Sequence, residues 1–240
     1  MTNALGLPEG TRACLFDLDG VLTQTAKLHA RAWKQTFDDF LRERSLRTGE
    51  PFVPFSPADY THWVDGKLRL DGAGAFLASR GIRLPEPEIA ALARRKDELL
   101  LDLLRKGHVE TYDGSVRYLE KARDAGMLTA VVSASRHCAD VLASAGIEQL
   151  FDARIDGMVA AEAHLAGKPA PDTFLAAARA LDVAPSQAAV FEDALAGVEA
   201  GRAGRFGFVV GVDRAGQAAE LHSHGADVVV SDLAALLEQP

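Results

Sequence analysis

Residues 14–16, CLF, are apolar throughout, and Asp17, Leu18, Asp19 and Gly20 follow at once. A short apolar run bounded by turn residues predicts a strand buried on both faces, here 14–17. From about residue 113 such runs recur between helical stretches. Helices are expected over 115–125, 136–145, 171–181, 194–204 and 218–225, and strands over 127–135, 188–193, 205–212 and 227–233. Gly126 and Gly146 stand where the first two of these helices should stop. Short apolar strands alternating with helices imply a parallel sheet covered on both faces, a Rossmann-like α/β core. Run 14–17 belongs to this sheet by its character, although a long segment separates it from the next strand.

That intervening segment has a different period. Residues 25–44 are amphipathic at helical spacing, with Leu28, Trp33, Phe37, Phe40 and Leu41 as apolar marks. A proline-rich loop is expected over 49–60, and further helices over 70–81 and 86–107. No run from 22 to 108 reads as a strand. The expected organisation is a core domain of residues 1–21 and 109–240, with an all-helical cap domain of residues 22–108 inserted after the first strand.

Composition narrows the class. With 240 residues, 48% of them hydrophobic, a sizeable core forms without staples. Cys14 and Cys138 are the two cysteines, so a disulfide framework is not expected and a reducing cytoplasm fits. Cys14 reads as strand packing. Residues 1–10 show no basic segment followed by an apolar stretch, and no run reaches the length of a membrane span. The net charge of −8 argues against nucleic acid or an anionic membrane as partner. A small anionic substrate is compatible with it, because positive groups can be gathered in one pocket. The expectation is a cytoplasmic monomer.

In open parallel sheets, ligands collect at the carboxyl ends of the strands. Here those ends carry Asp17 and Asp19, then Ser133, Ala134 and Ser135, then Lys168 in a loop at 167–171, then Glu192 and Asp193. Taken singly, each has an ordinary explanation: a solvated turn, a helix N-cap, a surface lysine, acids at a helix N-terminus. Together they can do more. Carboxylates on two strand ends hold a hard cation through oxygen. A hydroxyl and an ammonium hold phosphate oxygens, and a remaining carboxylate can attack phosphorus.

The motifs FDLDGVL, VVSAS, GKPAP and FEDALAGVEA, in this order over roughly 12–231, resemble those of the haloacid dehalogenase superfamily of phosphotransferases. The helical insertion, with DGVLTQTAKLHARAWK, SASR and GKPAPDTFLAAARALDVAPSQ, resembles its β-phosphoglucomutase-like subgroup. The resemblance implies roles. Asp17 matches the nucleophile and a metal ligand. Asp19 matches the general acid/base, its backbone carbonyl also contacting Mg²⁺. Ser133 and Lys168 match ligands of the transferring phosphate. Asp193 matches a metal ligand and Glu192 a metal-site carboxylate. Gly20 should permit the turn that brings Asp19 beside Asp17, with no side chain to block the substrate.

His29 and Trp33, four residues apart on one helix face, match substrate-facing positions of the cap, as does Lys96. The stretch ARRKDELL around Lys96 reads equally well as a charged solvent face. Arg69 aligns with a cap arginine that grips a distal phosphate. Ala134, Ser135, Arg136 and His137 match the loop near the second phosphate. Gln24 and His137 depart from the subgroup pattern, which has aspartate and asparagine there. The implied activity converts β-glucose 1-phosphate into glucose 6-phosphate with Mg²⁺, through β-glucose 1,6-bisphosphate. A sugar- or polyol-phosphate phosphatase is the alternative, and a catalytically silent interaction module a third reading.

Overall fold

The described residues build one sheet of six strands: β1 (Ala13–Phe16), β2 (Leu128–Val132), β3 (Ala153–Ile155), β4 (Ala188–Glu192), β5 (Phe208–Val212) and β6 (Val228–Val230). Their order is β3-β2-β1-β4-β5-β6, and every neighbouring pair is parallel. The computed structural model describes residues 2–106 and 109–238. Strand β1 lies at the centre, paired to β2 on one side and β4 on the other, and all four of its residues are buried. The unbroken apolar reading therefore holds for a strand with no solvent face. Strand β3 was not expected. It is three residues long, includes the exposed Arg154 and lies at the sheet edge, so it leaves no apolar run to read.

The chain divides into two compact units, one of Met1–Gln24, Gly66–Leu68 and Val109–Pro240, the other of Thr25–Asp65 and Arg69–His108. Residues 66–68 thus cluster with the sheet. The expected boundary at 108/109 touches residues 107 and 108, which lie outside the described residues.

Among its described residues the smaller unit contains four α-helices: α1 (Ala26–Thr48), α2 (Pro57–Asp59), α3 (Arg69–Ser79) and α4 (Glu86–Lys106). Helix α1 ends at Gly49, whose φ of +75° supplies the left-handed cap; its N–H donates to the Ser45 carbonyl. Helix α2 and the five-residue π-turn after it (Tyr60–Val64) correct the expected loop over 49–60. Prolines suggested a break throughout, yet Pro57 stands at the first helical position, where its missing N–H costs nothing. Ser56 and Asp59 close a capping box there, and Arg80 pairs with Asp59 at 2.7 Å. Trp33, Phe37, Phe55, Val64, Phe76 and Leu77 form the core of this unit. Phe37 is its hub, with ring centroids at 4.8 Å from Trp33, 5.1 Å from Phe55 and 4.3 Å from Phe76.

In the larger unit the sheet is covered by α5 (Asp113–Asp124), α6 (Cys138–Ala145), α7 (Gly157–Glu162), α8 (Asp172–Ala180), α9 (Leu195–Ala203) and α10 (Ala218–His224). Alternation along the strands separates two cores. Leu15, Val132 and Val190 pack with Phe174, Val198 and Leu221. Phe16 and Phe191 pack with Tyr118 of α5, whose hydroxyl donates to the Leu5 carbonyl at 2.8 Å. Cys14 is buried and its thiol is pushed up to about 12 by desolvation, as strand packing implies. Among the described residues, no helix is long and apolar enough to cross a membrane.

Both tryptophans, Trp33 and Trp63, belong to the smaller unit, so tryptophan fluorescence reports its unfolding. Phe37→Ala should destabilise that transition by about 3–5 kcal/mol, through lost contacts and a cavity. Denaturant titration followed by fluorescence checks this; a shift below about 1 kcal/mol would remove Phe37 from the hub position.

Candidate active site

Parallel register decides which side chains meet. Phe16 pairs with Phe191 across β1 and β4, their rings stacked at 4.5 Å, and Asp17 N–H donates to the Phe191 carbonyl at 2.9 Å. One step on, Asp17 and Glu192 must emerge side by side at the carboxyl edge. The chain turns back to the other side of β1 between β3 and β4, so this edge is also where the strand order reverses. Asp193 follows, and Asp17, Glu192 and Asp193 each offer an oxygen within 4.8 Å of the others, all three buried.

Lys168 enters this acidic group from the loop before α8. Its ammonium lies 2.5 Å from Asp17 Oδ1 and 2.5 Å from Glu192 Oε1, and donates to the Val132 carbonyl at 3.2 Å. The Phe174 ring stands 4.9 Å away. Burial works against the charged lysine, but Asp17 and Glu192 outweigh it and hold its pKa above the ordinary lysine value. Asp17 is pushed well above the carboxylate range. Burial is the chief cause, and the neighbouring carboxylates Glu192 and Asp19 add to it against Lys168. An all-oxygen, buried, negatively charged group suits a hard divalent cation.

The Asp19 carboxylate faces elsewhere. Ser133 Oγ lies 3.3 Å from Asp19 Oδ2, so acid and hydroxyl meet across β1 and β2. The side-chain grouping that suits a cation leaves the Asp19 carboxylate out, which restricts its expected metal contact to the backbone carbonyl. Gly20 adopts φ +95°, and a Cβ there would fall 1.8 Å from Asp193 Oδ2. A side chain at Gly20 would thus collide with the Asp193 carboxylate. Gly197 plays the same part for Glu192: its Cβ would stand 1.9 Å from the Glu192 carboxyl carbon, while Ala194 N–H donates to Glu192 Oε2 at 3.1 Å.

The helix expected from residue 136 begins at Cys138, leaving Ala134, Ser135, Arg136 and His137 in a loop. Ser133 Oγ accepts from Ser135 N–H at 3.1 Å, and Ser135 Oγ from His137 N–H at 3.2 Å; each hydroxyl caps backbone two residues on. The unread segment β3–α7 braces this loop. Gly157 N–H donates to the Ser135 carbonyl at 3.0 Å, and a Cβ on Gly157 would sit 2.7 Å from the Ala134 carbonyl oxygen. Gln24, at the edge of the sheet unit, donates its N–H to the Glu110 carbonyl at 2.8 Å. A further unread element is the loop 213–217, where the Gln217 amide donates to the Asp193 carbonyl at 2.9 Å. Its position after β5, at the edge where ligands gather, was the available signal.

Within the smaller unit, His29, Trp33 and Lys96 come together. Lys96 is 4% exposed, its Nζ 3.2 Å from His29 Nδ1 and 5.5 Å from the Trp33 ring centroid. That burial overturns the solvent-face reading of Lys96. Arg69, at the start of α3, pairs with Asp97 on α4.

Residues 11–205 match the description of the haloacid dehalogenase-like hydrolases, and the chain belongs to that family. It is an enzyme. It is 55% identical to a protein of Mycobacterium tuberculosis named β-phosphoglucomutase, over 98% of this chain and 95% of that one. A Bacillus subtilis β-phosphoglucomutase is 32% identical over 91% of this chain and 88% of its own. A crystal structure of β-phosphoglucomutase from Clostridium difficile superposes with a TM-score of 0.76 at 26% identity, covering 94% of this chain and 93% of that chain.

Lys168→Met should leave Asp17 and Glu192 buried without their ammonium. A loss of about 3–5 kcal/mol is expected for the sheet unit in metal-free buffer. Denaturant titration followed by far-ultraviolet circular dichroism measures it; unchanged stability would mean the two carboxylates are already neutral.

Proposed function

We propose that this enzyme is a β-phosphoglucomutase that converts β-glucose 1-phosphate into glucose 6-phosphate through β-glucose 1,6-bisphosphate and an aspartyl phosphate on Asp17. The observation that supports it most is the 55% identity to a β-phosphoglucomutase over nearly the whole of both chains. The site is suited to the chemistry. Asp17 Oδ attacks phosphorus, the bond to the sugar oxygen breaks, and Asp19 gives that oxygen its proton. In the second half-reaction Asp19 takes the proton from the attacking sugar hydroxyl, and the phosphoryl group leaves Asp17. Lys168 and Ser133 hold the transferring oxygens as negative charge shifts among them.

Asp17, Glu192 and Asp193, with the Asp19 carbonyl, would hold Mg²⁺; the buried all-oxygen set fits such an ion. When bound, it would supply positive charge that offsets the phosphoryl oxygens. Arg69 is proposed for the second phosphate of the bisphosphate, which a guanidinium can take by two parallel hydrogen bonds. His29, Trp33 and Lys96 are proposed for the sugar, and Ala134 to His137 for its neighbourhood. The family description, a hydrolase, favours a second reading in which water takes the phosphoryl group from Asp17.

Incubation with Mg²⁺, β-glucose 1-phosphate and a trace of the bisphosphate separates the two. Glucose 6-phosphate is the expected product; release of free phosphate alone would establish the phosphatase. Asp17→Asn should abolish turnover and covalent labelling while the fold persists. Activity within about tenfold of wild type, a barrier change of only ~1.4 kcal/mol, would dismiss Asp17 as nucleophile. Arg69→Ala should depress mutase turnover while sparing hydrolysis of acetyl phosphate, which has no second phosphate. Equal losses in both reactions would deny Arg69 that role.

A further inference from the structure

Beyond the four motifs, one loop reaches two of them from behind. It runs from Asp213 to Gln217, between β5 and α10, and it is tightly built. Asp213 Oδ1 accepts from the N–H groups of Ala215, Gly216 and Gln217 at 3.1, 2.7 and 2.9 Å. Arg214 is largely withdrawn from solvent, with a side-chain exposure of 17%. Its Nε donates to the Gly20 carbonyl at 2.9 Å, and one Nη to the Val21 carbonyl at 3.4 Å and to Ser115 Oγ at 3.3 Å. The other Nη donates to the Ser231 carbonyl at 2.7 Å, and the guanidinium stacks 3.5 Å from the Tyr112 ring centroid. Three residues on, the Gln217 amide donates to the Asp193 carbonyl at 2.9 Å.

The two carbonyls so gripped belong to residues that touch. Gly20 has no room for a Cβ because the Asp193 carboxylate fills it. The turn after β1 and the turn after β4 are therefore pressed together at Gly20 and Asp193, and a single rigid loop holds both.

We propose that Arg214 and Gln217 are positioning residues that set the spacing between the Asp17–Gly20 turn and Asp193, and so the affinity of the carboxylate group for its cation. A guanidinium is suited to this because its donors are fixed in a plane and reach several carbonyls at once. Neither residue touches the reacting phosphoryl group; both act through the backbone of the residues that do. The proposal rests on the cation site of the functional reading, and not on which sugar phosphate is turned over.

Calorimetric titration of the protein with Mg²⁺ alone tests it, with no turnover required. Arg214→Met and Gln217→Ala should each weaken Mg²⁺ binding, by about 10- to 100-fold for the arginine, as outer partners of ligands typically do. Arg214→Lys, which keeps the charge but has a single donor atom in place of the planar fork, should recover part of the loss. The double variant should lose less than the product of the two single effects, because both act on one spacing. In turnover, the variants should lower kcat at subsaturating Mg²⁺ and leave the KM for substrate within about threefold. Should Arg214→Met fail to fold, Gln217→Ala removes a single hydrogen bond and carries the test by itself. Folded variants with wild-type Mg²⁺ affinity, even at a lowered melting temperature, would overturn the proposal by reducing the loop to scaffold. A wild-type protein that binds no Mg²⁺ would overturn it as well. Failure to convert β-glucose 1-phosphate, with Mg²⁺ affinity still dependent on both residues, would sink the mutase reading and leave this one standing.

Discussion

A single ammonium group, that of Lys168, lies in the interior between the carboxylates of Asp17 and Glu192. None of the three would be tolerated there alone, since an isolated buried charge is far costlier than a paired one. The pairing needs three segments of chain at one point: the end of β1, the loop before α8 and the end of β4. Parallel register delivers the two carboxylates as neighbours, and the loop delivers the lysine over Phe174. The sheet order is the condition for the site, and the site places a constraint on the sheet in return. A one-residue slip of β4 against β1 would part Asp17 from Glu192 and turn the next side chain to the opposite face.

The crowding around these charges constrains two glycines beyond what local structure requires. Gly197 lies inside α9, where glycine weakens a helix, yet any side chain there would collide with the Glu192 carboxyl group. Gly20 is constrained twice, by its positive φ and by Asp193. The site thus reaches into helix and turn sequence well beyond the residues that do chemistry.

The fold was largely legible because buried strands of a parallel sheet have no polar face. β1, β2, β4 and β5 stand out as short, mostly apolar runs, and the acidic and hydroxyl motifs lie at their carboxyl ends, while Lys168 comes from the loop before α8. Short edge elements were not legible. β3 has one fully buried residue, Ile155, and an exposed Arg154, so neither run length nor period marks it. Proline misled at Pro57, where helix entry and chain break look alike without the Ser56–Asp59 capping box. Lys96 defeated composition in another way: a lysine among charged neighbours reads as solvated, and its burial depends on His29 and Trp33 from a different helix. For Arg214 and Gln217 the loop's place after β5 was the only signal, because their contacts to Gly20, Val21, Ser231 and Asp193 are to backbone carbonyls, which leave no trace in sequence.

The central place of β1 has a consequence for biosynthesis. Ala13 pairs with Leu128 on one side and with Ala188 on the other. Translation produces the middle of the sheet first, and its two partners only after most of the chain has been made. Until then an uncharged four-residue template, open along both edges, hangs from the ribosome with nothing to bond to. The smaller unit is nearly continuous in sequence and can collapse on its aromatic hub meanwhile, shortening the loop that must close before β2 can find β1. That collapse is fast beside translation, so the time needed to synthesise the partner strands, on the order of seconds, governs how long the nascent strand stays exposed to capture by other chains.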